Sequence, residues 1–203
     1  MTDSMKKCAA RGRIAVFASG NGSNAENIIR YFREADRGAE VVLVVTNKAD
    51  AGVIARAGRL GVDCRVMTAA EIRDPERMLP LLESYGIDLI VLAGFLLMVP
   101  PFLISRYPDR IINIHPALLP KFGGKGMYGR HVHEAVVAAG ERESGITVHF
   151  VSEKYDEGRI IAQVSTAVGP SDTPADVEAK IHRLEQENFP RIIRETFYNN
   201  KGQ

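Results

Sequence analysis

An excess of charge of either sign is the first thing this chain lacks. Over 203 residues the formal net charge is +1, which gives no bulk electrostatic reason to expect a nucleic-acid or membrane partner. Cysteine is scarce as well. The two present, Cys8 and Cys64, fit a reduced compartment better than a disulfide framework, and neither has a metal-ligand partner at close spacing. No apolar run approaches the length needed to cross a bilayer. The stretch from Met1 to Gly12 carries Lys6 and Lys7 but no apolar segment, so no signal peptide is expected. Neither a P-loop nor a Gly-x-Ser-x-Gly elbow occurs. On a helix the His131-Val132-His133 pair would diverge by more than half a turn, and no metal is expected. Asp156 and Glu157 are adjacent and diverge, which removes paired-carboxylate hydrolysis. These absences describe a cytoplasmic globular protein acting on small molecules, as a monomer or homodimer.

What is present is an alternation of strand and helix. Ile14-Ala15-Val16-Phe17-Ala18 is a short apolar run, broken by Gly20-Asn21-Gly22 and followed by a helix over 24–34. Val41-Val42-Leu43-Val44-Val45 is β-branched and reads as a buried parallel strand. Helical spacing over 51–60 stops at Gly61. A short strand over 64–67, a longer helix over 69–85 closed by Gly86, and a strand over 88–93 ending at Gly94 follow. Arg110-Ile111-Ile112-Asn113-Ile114 comes next. Such alternation predicts an α/β fold, a Rossmann-like, mostly parallel sheet with helices on both faces. In the last third, 147–151 and 160–164 read as an antiparallel pair joined across 152–159. Thr173 and Pro174 then open a long C-terminal helix with Asp176 at the capping-box position. Val177, Ile181, Leu184 and Ile192 mark its buried stripe. One domain over 1–203 is expected, with 1–12 a short, flexible N-terminal extension.

In such sheets ligands gather outside the carboxyl ends of strands. The glycine turn, Gly94 and His115 all lie there. Ser19-Gly20-Asn21-Gly22-Ser23-Asn24-Ala25 joins a strand to a helix, where free N–H groups and the positive dipole end suit an anion. Gly20, Gly22 and Ala25 satisfy a loose dinucleotide fingerprint. That fingerprint also wants an acidic residue ending the second strand, and Thr46-Asn47-Lys48 stands there, which counts against a nicotinamide cofactor. Two readings remain: a ligand-free turn and helix cap, or, preferred, a phosphate-monoester site.

Asn113-Ile114-His115-Pro116 is the segment richest in chemistry. Asn113 and His115, two apart on an extended run, point to the same side. They offer a neutral donor beside an ionisable donor or base, which suits a developing oxyanion with proton transfer nearby. Taken alone, His115 would more often be structural; its companions change that. Asp156, on the connection between strands, is the best carboxylate to hold an imidazolium, and its plainer reading is a solvated turn residue. The glycine-dense 121–129 segment reads either as a lid over His115 or as an exposed loop.

With these motifs in view, the chain resembles the phosphoribosylglycinamide formyltransferases of purine biosynthesis, which use 10-formyltetrahydrofolate. Ser19-Gly20-Asn21-Gly22-Ser23-Asn24, Leu92-Ala93-Gly94-Phe95, the Asn113–Pro120 run and Thr147-Val148-His149-Phe150-Val151 with Asp156 occur in family order, over nearly the whole chain. The resemblance implies a formyltransferase fold and the following roles. Gly22, Ser23 and Asn24 cradle the phosphate of glycinamide ribonucleotide, with His182 near the phosphate and Glu185 near the ribose. Asn113, His115 and Asp156 form the catalytic trio, Asn113 also touching folate. Leu96, Leu97, Met98 and Val99 line the folate pocket, with Arg73 as a further folate contact. Departures are the long 123–129 stretch, Glu157-Gly158 in place of two glycines, and His182 in place of an amide residue. The last makes phosphate binding more dependent on pH.

The implied reaction is direct transfer of the formyl group to the glycinamide amine, with formyl-folate as co-substrate and no metal. A 10-formyltetrahydrofolate hydrolase is the alternative, although the short stretch before Ile14 leaves no room for its usual extra N-terminal domain. A methionyl-tRNA formyltransferase would be expected to carry a further basic C-terminal domain. A nucleotide-binding regulatory module could use the glycine turn but would not need Asn113, His115 and Asp156 together.

Overall fold

The computed structural model of the protein describes residues 11–35 and 38–201. Of the expected N-terminal extension only residues 11 and 12 fall among them, and Gly12 already opens the first strand. Seven strands alternate with seven helices in the order β1 (Gly12–Phe17), α1 (Ser23–Glu34), β2 (Ala39–Thr46), α2 (Gly52–Arg59), β3 (Asp63–Val66), α3 (Ala69–Arg73), α4 (Pro75–Ser84) and β4 (Leu89–Leu92). The second half runs α5 (Pro101–Arg106), β5 (Ile111–His115), α6 (Arg130–Ala138), β6 (Glu143–Phe150), β7 (Ile160–Ala167) and α7 (Pro174–Lys201).

All strands join one sheet in the order β3-β2-β1-β4-β5-β6-β7. β1 pairs in parallel with both β2 and β4, β4 with β5, while β5–β6 and β6–β7 are antiparallel. The chain builds outward from β1 to β3, then returns to the other side with β4. The switch in strand order therefore lies between β1 and β4, and the crevice for a ligand opens at their carboxyl ends.

Side-chain alternation sorts the core into two layers. Ile14 and Val16 of β1, Leu89 and Val91 of β4, and Ile112 and Ile114 of β5 share one buried cluster with Ile28, Val177 and Phe189 from α1 and α7. Ala15, Phe17, Ile90, Leu92 and Ile111 face the other way onto Ile72, Met78, Leu82 and Leu103 from α3, α4 and α5. A strand covered on both faces needs apolar residues at every position, which is why β1 and β4 read as continuous apolar runs.

The single helix expected over 69–85 is two. Thr68 caps α3 with a full capping box to Glu71, and the helix stops at Asp74, whose backbone is extended (φ −91°, ψ 110°). Pro75 forces this, because its ring crowds a helical preceding residue. Asp74 then caps α4 by accepting the Glu76 N–H at 2.9 Å. α5 and α6 carry no expectation from the sequence. α7 opens as expected: Thr173 Oγ1 donates to Asp176 Oδ2 at 2.6 Å and accepts the Asp176 N–H at 3.3 Å. Among the described residues no helix is long and apolar enough to cross a membrane.

Candidate active site

One cavity of about 730 Å³ lies over the carboxyl ends of β1, β4 and β5, within the size range of small-molecule sites. It collects the 20–24 turn, the 92–99 segment, Asn113, His115, Asp156, His182 and Glu185. Arg73 is not brought there. It is exposed at the end of α3 and is not among the residues that line the cavity.

The glycine turn departs β1 and enters α1 through Gly22, whose φ of +81° is the left-handed region that glycine adopts without strain. A Cβ at Gly22 would stand 2.6 Å from the Val53 side chain, so this glycine also lets α1 and α2 approach. No side chain caps α1, which leaves the N–H groups of its first turn free for an anion. Arg56 steadies the turn, donating from Nε to Asn21 O at 2.9 Å and from Nη2 to Asn21 Oδ1 at 2.6 Å, while Glu26 holds the guanidinium. The Asn24 side chain is committed to α7: Nδ2 donates to Glu185 Oε2 at 2.9 Å, and Oδ1 accepts from Gln186 Nε2 at 2.8 Å. Asn24 therefore faces an anion through its backbone rather than its amide. His182 Nδ1 lies 3.1 Å from the same Glu185 oxygen. That hydrogen bond pushes the His182 imidazole up from its ordinary value, against the pull of burial.

Asn47 directly follows β2, where a dinucleotide site would carry an acid. Ser19 Oγ donates to its Oδ1 at 2.6 Å and accepts the Leu96 N–H at 3.0 Å. This buried serine ties the glycine turn to the 94–99 segment. Leu96, Leu97, Met98 and Val99 all reach the cavity; Val99 is buried in the core, whereas Leu96 and Met98 are 44% and 42% exposed at the rim. Two large apolar side chains held open beside a cavity suit the flat apolar body of a ligand.

The pair of residues expected to share one side of β5 does so: Asn113 and His115 both face the cavity. His115 is 3% exposed. Its Nε2 is 2.8 Å from Phe122 O and its Nδ1 is 3.5 Å from Asp156 Oδ2. Both ring nitrogens thus face acceptors, an environment that only the imidazolium satisfies on both sides. Burial nonetheless pushes His115 below its ordinary value, more strongly than Asp156 and the Phe122 carbonyl pull it up. The two acceptors thus favour the imidazolium while burial favours the neutral ring.

Asp156 sits at φ +56°, a region that Asp and Asn visit more readily than other non-glycine residues. Burial would raise its carboxyl, but the His149 and His115 rings and the Gly124 N–H, donated at 2.8 Å, together hold it below the usual carboxylate range. Gly124 begins the stretch of 124–129 that lines the cavity, so the glycine-dense segment is part of the wall rather than a detached loop. Lys121 anchors its start to Glu141 at 2.8 Å.

The segment after His115 is pinned by more than its prolines. Thr147, directly opposite His115 on β6, accepts the Leu119 N–H at 3.0 Å and donates to Ala117 O at 2.7 Å. Gln163 of β7 adds a bond to Leu119 O at 3.0 Å.

Sequence reading missed His149. It lies opposite Asn113 across the β5–β6 ladder, with Nε2 3.1 Å from Asn113 Nδ2 and 3.6 Å from Asp156 Oδ1. With Nδ1 2.9 Å from Phe150 O, Nε2 is left to accept from the Asn113 amide, which it orients, and the ring lies beside the carboxylate. The signal was the antiparallel register: once Ile112 meets Phe150, Asn113 must meet His149. His133 and Glu178 also line the cavity without having been singled out for it. His131 and His133 diverge as expected, His131 stacking on Tyr128 at 5.4 Å while His133 is buried. Among the described residues no group of three or more His, Cys, Asp or Glu side chains is placed to hold a metal ion.

Comparison with known proteins agrees with this geometry. The model of the family described as formyl transferase matches residues 12–193. A phosphoribosylglycinamide formyltransferase of Bacillus subtilis strain 168 is 35% identical over 196 residues, covering 94% of this chain and 98% of that protein. The chloroplastic enzyme of that name from Arabidopsis thaliana is 41% identical over 188 residues; the match takes in 90% of this chain but only 64% of the plant protein. The crystal structure of the phosphoribosylglycinamide formyltransferase from Streptococcus pneumoniae TIGR4 superposes with a TM-score of 0.80 at 37% identity, over 92% of this chain and 99% of that one. With its glycine turn, its Asn113–His115 strand end and Asp156 gathered in one crevice, this chain belongs to the formyl transferase family, among the phosphoribosylglycinamide formyltransferases.

Proposed function

We propose that this chain, as one formyltransferase domain, transfers the formyl group of 10-formyltetrahydrofolate to the amine of N1-(5-phospho-D-ribosyl)glycinamide, giving the N-formyl product and tetrahydrofolate in purine biosynthesis. The observation that carries the reading is the convergence of an uncapped helix start, an Asn–His strand end and a buried carboxylate on a single cavity. An anion site and a proton-handling site in one chamber fit a phosphorylated amine as acceptor. The exposed Leu96 and Met98, with Leu97 and Val99 behind them, fit the ring system of the folate. The folate supplies the activated formyl group and departs as an amine.

The residues divide the work. The backbone N–H groups of Gly22, Ser23 and Asn24 receive the phosphate, and His182, its imidazolium favoured by Glu185, adds positive charge beside it. Glu185 accepts from the ribose. Asn113 has two amide hydrogens; one is directed at His149, and the other is free for the charge that grows on the formyl oxygen. Removing a donor of this kind costs about 3–4 kcal/mol of barrier. His115 takes up a proton as the amine attacks. The imidazolium is then stabilised by Asp156 and the Phe122 carbonyl, and the proton passes on to the leaving nitrogen. A ring whose burial and partners pull its affinity for protons in opposite directions is suited to both steps. Holding the two substrates in line supplies much of the rest.

The test is to incubate the protein with 10-formyltetrahydrofolate, with and without glycinamide ribonucleotide, and to follow deformylated folate. Release that depends on the ribonucleotide, with formation of the N-formyl product, supports transfer. Equal release without it makes the protein a 10-formyltetrahydrofolate hydrolase instead. His115→Ala, folded but retaining near-normal turnover, would remove this residue from the catalytic assignment.

A further inference from the structure

α6 carries a buried histidine that the proposed reaction does not use. His133 is 4% exposed, and its Nδ1 is enclosed without any hydrogen-bond partner. An enclosed polar atom with no partner lowers stability for no structural return, so such atoms are few in folded proteins. The ring is not lost in the apolar core. It forms part of the wall of the main cavity, on the side where α6 packs against α7 and where Glu178, Ile181, His182 and Glu185 also reach the cavity.

That stretch of wall borders the 22–24 turn, because Glu185 also holds the Asn24 side chain at 2.9 Å. Burial pushes the His133 imidazole below its ordinary value; Glu178 and Glu185 pull the other way, while His182 and His115 add to the push. Two carboxylates in its surroundings disfavour an anion there. An imidazole in its neutral form is a good partner for a hydroxyl or amide, because it presents one donor and one acceptor.

We infer that His133 is a substrate-contacting residue, whose imidazole hydrogen-bonds the uncharged middle of the acceptor, the sugar hydroxyls and amide between the phosphate at the 22–24 turn and the amine at His115. This rests on the proposed function and extends it by one specificity-determining residue. Glu178 and Glu185 complete the same stretch of wall as acceptors for hydroxyl donors.

The test uses the full chain. His133→Phe keeps the ring volume and removes both nitrogens; His133→Gln keeps a donor and an acceptor. The Phe variant is expected to raise KM for glycinamide ribonucleotide about tenfold or more, with KM for 10-formyltetrahydrofolate unchanged and kcat altered less. The Gln variant recovers part of the loss. In the unsubstituted protein with ring-labelled histidine, the His133 nitrogen resonances shift when glycinamide ribonucleotide alone is added; this readout holds even if the Phe variant fails to fold. A KM for the ribonucleotide within twofold of the unsubstituted value in a folded Phe variant, or His133 resonances unmoved at saturation, overturns the inference. Absence of ribonucleotide-dependent transfer by the unsubstituted protein would instead overturn the proposed function, and this inference with it.

Discussion

Asn24 and Glu185, 161 positions apart in the chain, meet in a hydrogen bond of 2.9 Å that joins the first turn of α1 to the middle of α7. The bond closes the end of the cavity at the 22–24 turn, and Glu185 passes its influence on to His182 at 3.1 Å. A side chain committed in this way sets geometry rather than binding strength at its own amide.

Asn24→Ala is expected to raise KM for the ribonucleotide about tenfold, since Glu185 and Gln186 lose their tether to the turn. KM for the formyl donor should stay within twofold. Steady-state kinetics with each substrate varied in turn decides this, and equal rises in both constants would argue for general damage to the fold.

Asp156→Asn separates charge from backbone. Asn tolerates the φ of +56° nearly as well as Asp, and its carbonyl oxygen can still accept the Gly124 N–H. Turnover should fall about a hundredfold or more, from loss of the stabilised imidazolium, while the melting temperature moves by only a few degrees. Asp156→Ala adds backbone strain and should melt lower than Asp156→Asn; the reverse order would show that the backbone there is relaxed.

His149→Phe removes the ring that orients Asn113 and lies beside Asp156. A loss of about ten- to a hundredfold in kcat is expected with little change in either KM. The ring also helps hold the Asp156 carboxyl low, so its removal should move the acid limb of the pH–rate profile to higher pH. An unmoved limb would deny the coupling.

Gly158→Ala tests the connection that carries Asp156. A Cβ at this glycine would lie 1.6 Å from the Phe150 carbonyl oxygen, and backbone must shift to admit it. The expected cost is about 1–3 kcal/mol, or several degrees of melting temperature in a domain of this size. Most turnover should go with it. Calorimetry and the transfer assay on one preparation check both.

Acid should weaken the fold before any carboxylate titrates. Burial lowers His115 and His133 below their ordinary value of 6.5, so below that value the unfolded chain binds protons that the folded chain refuses, and stability falls. His182 is raised instead; its contribution grows as pH falls through its folded value and levels off below 6.5, where the loss from the two lowered rings continues. Urea midpoints measured downward from pH 7 should decline through this window, and the decline should be shallower in His133→Phe. A flat midpoint would contradict both directions of shift.

The alternation of β-branched runs with helical spacing determined the parallel core, because a strand covered on both faces has to be apolar throughout. Local chemistry determined the caps: Thr173 with Asp176 can satisfy the free ends of α7 wherever that helix packs. The same locality explains why Asn113 and His115 could be placed on one side of one strand. Pro75 was equally local evidence, and a reading that weighed the helical spacing of 69–85 above the proline lost the break at Asp74. Only the tertiary structure decided that His149 stands behind Asn113, that Glu185 reaches Asn24, and that Arg73 does not reach the cavity, since register between distant strands and the seating of one helix on another depend on the whole packed core. Burial was decided there too. It set desolvation of the His115 ring against the pull of Asp156, because desolvation is a property of everything packed around a group and not of its neighbours in the chain.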